Sequence, residues 1–299
     1  MIATEPKRPP VRPLDRRRPT PIQRRQVRAS MTIAAGFRYE DGILLCADRE
    51  VTEGVSKFSE SKIFGERVSP DVSLAFALSG GMDYAEMAIQ EITAVVKSSR
   101  LSSHVTIWGA IKDTLHTTYS ESIAVLPELQ QQDYQFNLLV AVWAEGTLKL
   151  YGTENTAVKE VSQFRCIGAG KELAKYLLSS GGTSGSTQMP RKNAEIVALR
   201  TLKHVKDCVS GCGKETDILV LDSSGEITRN TERNYYFELK MVDLYDDVTS
   251  LLYPLVEMEM TDRERVVSIH VALEAYFRRL RDIQKEKEER ERDESETDD

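Results

Sequence analysis

The sequence predicts an α+β protein in which antiparallel sheets meet face to face and pairs of helices cover the outside. Strand-like and helix-periodic runs fall in segregated blocks: strands, two helices, strands, two helices, strands. Tight-turn signals, above all Asp41-Gly42, join neighbouring strand candidates as hairpins. Nothing follows the pattern of a βαβ nucleotide fold, because Gly168-Ala169-Gly170 lacks the third glycine and the phosphate-binding context.

The elements follow in order. Residues 32–39 form the first strand candidate, which Asp41-Gly42 turns into a returning strand over 43–47. Residues 72–78 form the next, closed by Ser79-Gly80-Gly81. A helix begins at Asp83, with Glu86 in capping-box position and Ala85, Ile89, Ile92 and Val96 on one face. A second helix carries Val105, Trp108, Ile111, Leu115 and Tyr119. Three strand candidates come next, over 136–143, 147–151 and 158–167. Residues 170–178 and 190–209 read as helices, with Pro190 suited to a first turn and Gly211 to a stop. Between them the Gly/Ser-rich segment 179–186 reads as an exposed loop. The last strands are 217–221 and 226–229, turned by Ser223-Ser224-Gly225.

The ends differ from the middle. The 299 residues carry a net charge of −7, yet residues 1–30 hold nine Lys/Arg against Glu5 and Asp15, a net of +7, and six of the ten prolines. That leaves −14 on the remaining 269 residues. Residues 1–31 are expected to be a disordered Arg/Pro-rich leader, or to precede the true start. Residues 32–230 would be the folded domain and 231–299 a helical extension. In that extension Thr261-Asp-Arg-Glu264 reads as a capping box, ahead of Val266, Val267, Ile269, Leu273 and Phe277 at helical spacing. From Arg278 onward seven basic and ten acidic residues predict a solvated, fraying tail.

Composition also excludes classes. No apolar run reaches the roughly 18–20 residues of a transmembrane helix, so a soluble, cytoplasmic protein is expected. Cys46, Cys166, Cys208 and Cys212 form no CxxC pair, and His104, His116, His204 and His270 are scattered. Neither a structural zinc site nor any other metal or cofactor is expected. Nucleic acid is an improbable partner: the basic arm lacks interleaved aromatics, and a body at −14 repels phosphate.

Several segments together resemble a known family. Thr32-Ile-Ala-Ala-Gly36 and Asp41-Gly42-Ile-Leu-Leu-Cys-Ala-Asp48-Arg-Glu-Val-Thr52-Glu-Gly54 are similar to the start of a proteasome β-type subunit. Lys62-Ile-Phe64, Ser79-Gly80, Gly168-Ala169-Gly170 and Asp207-Cys-Val-Ser210-Gly211 follow in family order. The resemblance covers residues 32–230 and implies the four-layer αββα sandwich of the N-terminal nucleophile hydrolases.

It also implies a catalytic set. Thr32 would be the nucleophile and its own freed amine the base, since an α-amine has an unperturbed pKa of roughly 7.7–8.0. Lys62 would place positive charge by the hydroxyl, and Asp48 would hold Lys62; Lys57 is the rival for the lysine role. Asp207 and Ser210, three apart at a helix end, would orient the amine. The Gly80 N–H would donate to the developing oxyanion.

Two positions depart from the family. Ala169 stands where relatives have serine, and Met31 precedes Thr32 where self-processing relatives have glycine. The mechanism needs a chain that begins at Thr32, which removal of an initiating Met31 would give. The resemblance thus implies a threonine peptidase or amidohydrolase acting on peptide or protein substrates in a homo-oligomeric ring. The ring contacts would be sought on the helix faces 85–96 and 105–119, with any ATPase or regulatory partner unspecified. A non-catalytic scaffold subunit is the alternative.

Overall fold

The computed structural model describes residues 32–53, 56–180, 189–252 and 261–297. The first hairpin pairs β1 (Ile33–Tyr39) with β2 (Gly42–Asp48), with Ala34 opposite Ala47 and Tyr39 opposite Gly42. Short β3 (Glu50–Glu53) and β4 (Ser56–Ser59) form a two-stranded hairpin of their own. There follow β5 (Ile63–Ser69) and β6 (Val72–Gly80), then helices α1 (Met82–Ser98) and α2 (His104–Thr117). A π-helical turn over Thr118–Ile123 and the short α3 (Glu128–Tyr134) lead into β7 (Phe136–Ala144) and β8 (Thr147–Glu154). Next come β9 (Ala157–Val161), β10 (Phe164–Gly168), α4 (Lys171–Ser180) and α5 (Arg191–Cys208). The last elements are β11 (Thr216–Asp222), β12 (Ile227–Thr231), α6 (Tyr236–Leu252) and α7 (Asp262–Thr297).

Two antiparallel five-stranded sheets result, ordered β10-β1-β2-β11-β12 and β5-β6-β7-β8-β9. Their facing sides bury Ala34, Leu45, Ala47, Ala75, Ala77, Leu139 and Leu219. A Cβ on Gly36 would meet Leu139 Cδ1 of the facing sheet at 3.3 Å and Leu150 Cδ1 at 3.4 Å, so the sheets pack closely over the missing side chain. Helices α1 and α2 cover the second sheet through Ile89, Ile92, Ile107 and Ile111. Helices α4 and α5 cover the first through Ala174, Leu178, Ala198 and Leu202. This is the αββα sandwich the sequence predicts. With both faces covered, the central strands read as unbroken apolar runs and not as alternating ones.

The structure refines several boundaries. The expected strand over 158–167 is two strands, interrupted at Ser162-Gln163, with β9 ending one sheet and β10 edging the other. Helix α1 starts at Met82 with no side-chain cap, so Glu86 closes no capping box. The Thr261–Glu264 box does form: Thr261 N–H donates to Glu264 Oε2 at 2.8 Å, and Glu264 N–H donates to Thr261 Oγ1 at 3.3 Å. Beyond it α7 stays helical to Thr297 where a fraying tail was expected. Helix α6 docks on α5 through Arg200–Asp246 and Lys203–Asp243, and α7 docks on α6 through Lys240–Glu286 and Arg279–Asp247. The segments expected as a leader (1–31) and, for the most part, as an exposed Gly/Ser-rich loop (179–186) lie outside the described residues.

Candidate active site

One end of the sandwich gathers the start of β1, the ends of β2 and β10, and the start of β11. Thr32 sits just before β1, with a relative exposure of 1%. Asp48 closes β2, lies opposite Thr216 of β11, and is fully buried. Lys62 immediately precedes β5 and is tied to β6, whose Leu78 N–H donates to the Lys62 carbonyl at 3.0 Å.

Three side chains far apart in sequence therefore meet. The Thr32 hydroxyl donates to Asp48 Oδ1 at 2.7 Å, and Lys62 Nζ donates to Thr32 Oγ1 at 2.5 Å. The same nitrogen reaches Asp48 Oδ1 at 2.8 Å and the Glu50 carbonyl at 2.6 Å. An ammonium has three donors, and these three acceptors use them all. Asp48 also accepts from the backbone N–H groups of Ile33 (3.1 Å), Glu50 (3.3 Å) and Gly213 (3.0 Å). Burial pulls the Lys62 pKa below its ordinary value, and the Asp48 carboxylate offsets part of that shift. A lowered pKa makes the neutral amine more accessible, so Lys62 can hold or release a proton beside the threonine oxygen.

The surroundings define what else can react. A Cβ on Gly168 (φ +96°) would fall 2.2 Å from the Thr32 carbonyl oxygen. Two residues on, the Gly170 N–H donates to that oxygen at 3.3 Å. The glycines thus wrap the backbone of Thr32, while Ala169 between them is exposed. Cys212 lies close by, but burial and the neighbouring Asp48 carboxylate push its thiol up to about 12, so it stays protonated. Among the described residues no cluster of His, Cys, Asp or Glu could hold a metal.

Other expected site residues lie differently. Lys57 is half-exposed and pairs with Glu50 Oε1 at 2.6 Å on the β3–β4 hairpin, and among the described residues no hydrogen bond joins it to Thr32. Asp207, in the last turn of α5, and Ser210 beyond it are both exposed. Among the described residues no hydrogen bond joins either to Thr32, Asp48 or Lys62. Gly80 ends β6 with φ +99°, two residues past the Leu78 that holds Lys62, and the Gln135 carbonyl occupies the space of its absent Cβ. Sequence reasoning missed the Glu50 carbonyl and the Gly213 N–H. Main-chain groups carry no residue signature, although Gly213 has a reason to be glycine: a Cβ there would sit 2.5 Å from Glu50 Oε2.

Comparison with known proteins bears on the family and the fold. A family profile described as Proteasome subunit matches residues 30–221. Among solved structures, the chain is similar to the Anbu (Gly-1) mutant from Hyphomicrobium sp. strain MC1, with TM-score 0.65 and 14% identity, covering 77% of this chain and all of that one. Anbu (ancestral beta-subunit) from Yersinia bercovieri gives TM-score 0.63 at 14% identity, covering 77% of this chain and 100% of its own. The structure titled Helical Assembly of the Anbu Complex from Pseudomonas aeruginosa matches with TM-score 0.63 and 14% identity, over 77% of this chain and 99% of that chain. No curated protein sequence matches. At 14% identity these likenesses speak for the fold.

Proposed function

The chain belongs to the proteasome-subunit family, and on that premise we propose that it is a threonine-type peptidase or amidohydrolase whose nucleophile is Thr32. The observation that carries this reading is the 2.5 Å contact between Lys62 Nζ and Thr32 Oγ1, with Asp48 bonded to both. In the proposed reaction Thr32 Oγ attacks an amide carbonyl while its proton passes to the freed amine of Thr32 or to Lys62. The scissile C–N bond then breaks, the leaving amine takes that proton, and water hydrolyses the acyl ester. Gly80 is proposed to donate to the oxyanion, and Asp207 and Ser210 to orient the amine once Thr32 is the first residue.

The scaffold reading keeps one observation of its own: Asp207 and Ser210 are exposed, and among the described residues no hydrogen bond joins either to Thr32. The two readings separate in one experiment. The protein from its own cell is sized by intact mass, then treated with an epoxyketone, which needs hydroxyl and amine, and a β-lactone, which needs the hydroxyl alone. The enzyme reading expects a chain beginning at Thr32, both adducts on Thr32, and no hydrolysis by Thr32→Ala. An adduct elsewhere, or undiminished hydrolysis in Thr32→Ala, leaves the scaffold.

A further inference from the structure

A second polar network holds the residues on either side of Lys62. Asp217 of β11 is 2% exposed, yet it is a carboxylate. Its Oδ2 accepts from the Ser61 hydroxyl at 2.6 Å, and its Oδ1 accepts from Arg49 Nη1 at 3.4 Å. Ser61 in turn accepts from Arg229 Nη2 at 2.9 Å, and the same guanidinium nitrogen donates to the Ile63 carbonyl. The residues on either side of Lys62 are therefore pinned by side chains from β11 and β12, while β6 holds Lys62's own carbonyl.

A buried carboxylate is costly unless its partners repay it, and packing alone would be served as well by an apolar residue. Asp217 is also placed with purpose, one residue beyond Thr216, which lies opposite Asp48. One strand thus supports both the acceptor and the segment that delivers the lysine. We propose that Asp217, acting through Ser61, is a positioning residue that holds Lys62 against Thr32, with Arg229 bracing the far side. The assignment rests on the nucleophile reading above. A displaced amine loses its contact with a hydroxyl only 2.5 Å away, and a misplacement of about 1 Å can cost about 100-fold in rate.

Kinetics and lysine-selective NMR of the processed chain test this together. Ser61→Ala and Asp217→Ala are expected to lower kcat about 10- to 100-fold with KM nearly unchanged. Ser61→Thr, which keeps the hydroxyl, is expected to retain activity. The Lys62 resonance, identified by its loss in Lys62→Arg, is expected to titrate below the exposed lysines in the wild type. In Ser61→Ala it should climb towards them, because a released amine regains water. Should Asp217→Ala fail to fold, Ser61→Ala decides the matter. A Lys62 titration unchanged in Ser61→Ala overturns the assignment whatever the activity does. If the wild type neither hydrolyses nor labels, the nucleophile reading falls alone, and the titration still decides whether the clamp exists.

Discussion

Lys62 does two jobs that pull against each other. Its ammonium satisfies a buried carboxylate, yet its burial disfavours the charge it carries. Both partners are buried, so Lys62→Ala touches stability as well as chemistry. Removing one member of a buried pair strands the other, at a cost of about 3 kcal/mol. Lys62→Ala is accordingly expected to lower urea stability by about that amount, with the three backbone N–H groups on Asp48 keeping the loss from growing larger. A loss below about 1 kcal/mol would mean that those amides suffice. The pH dependence follows the same logic. A lysine whose pKa is lower folded than unfolded leaves the unfolded chain holding more protons between the two values. Stability should therefore rise with pH through that window, and the rise should vanish in Lys62→Ala.

At this scale the sequence was informative where chemistry rests on side chains. Thr32, Asp48 and Lys62 were named from family order, and the structure brings them together. The Glu50 carbonyl, the Gly213 N–H and the Asp217 network were not legible. Which carbonyl faces a lysine, and which carboxylate lies behind it, are decided by strand register, which sequence does not display.

Among elements, the misread ones share a cause. The run over 158–167 has continuous strand character, but Ser162-Gln163 turns the chain between sheets. Periodicity reports local conformation and is blind to such a change of partner. Likewise β4 is exposed along its length and offers no buried face to detect. Helix α2 shows the opposite case, a polar residue doing structural work. His104 opens it at 5% exposure, its Nε2 lies 3.0 Å from Thr147 Oγ1, and its N–H donates to Glu145 Oε2. Burial, aided by Lys149, holds the imidazole below its usual pKa. The unfolded chain titrates near the ordinary value of about 6.5, so this contribution is complete above that pH and is lost as the pH falls through it. Urea midpoints should drop on going from pH 7 to pH 5, and His104→Asn should flatten that slope. A slope untouched by the substitution would assign acid sensitivity elsewhere.

For the molecule as a whole, assembly is the open consequence of the family. Of the helix stretches 85–96 and 105–119 where contacts are expected, the first turns Ala85, Ile89, Ile92 and Val96 into the chain's own core, so only its other side is free to meet a partner. Among the described residues, outward apolar side chains on helices include Met87 on α1, Val105 on α2, Tyr176 on α4, and Val266, Leu273 and Phe277 on α7. A homo-oligomer using these surfaces is expected, with light scattering at micromolar concentration giving a multiple of the protomer mass found by intact-mass measurement. A monomer mass would overturn it. No described helix is long and apolar enough to cross a membrane.

The two sheets also differ in when they can be built. The second, β5-β6-β7-β8-β9, follows chain order, so each strand pairs with the one made just before it. The first interleaves early and late strands: β1 and β2 wait for β10 and β11, and the Gly213–Asp48 bond spans 165 positions. A ribosome releases Thr32 long before β10 and β11, so the sheet around it closes only after most of the domain has emerged. The hydroxyl proposed to cut amide bonds thus gains its full surroundings last, when the nascent chain beside it has already folded.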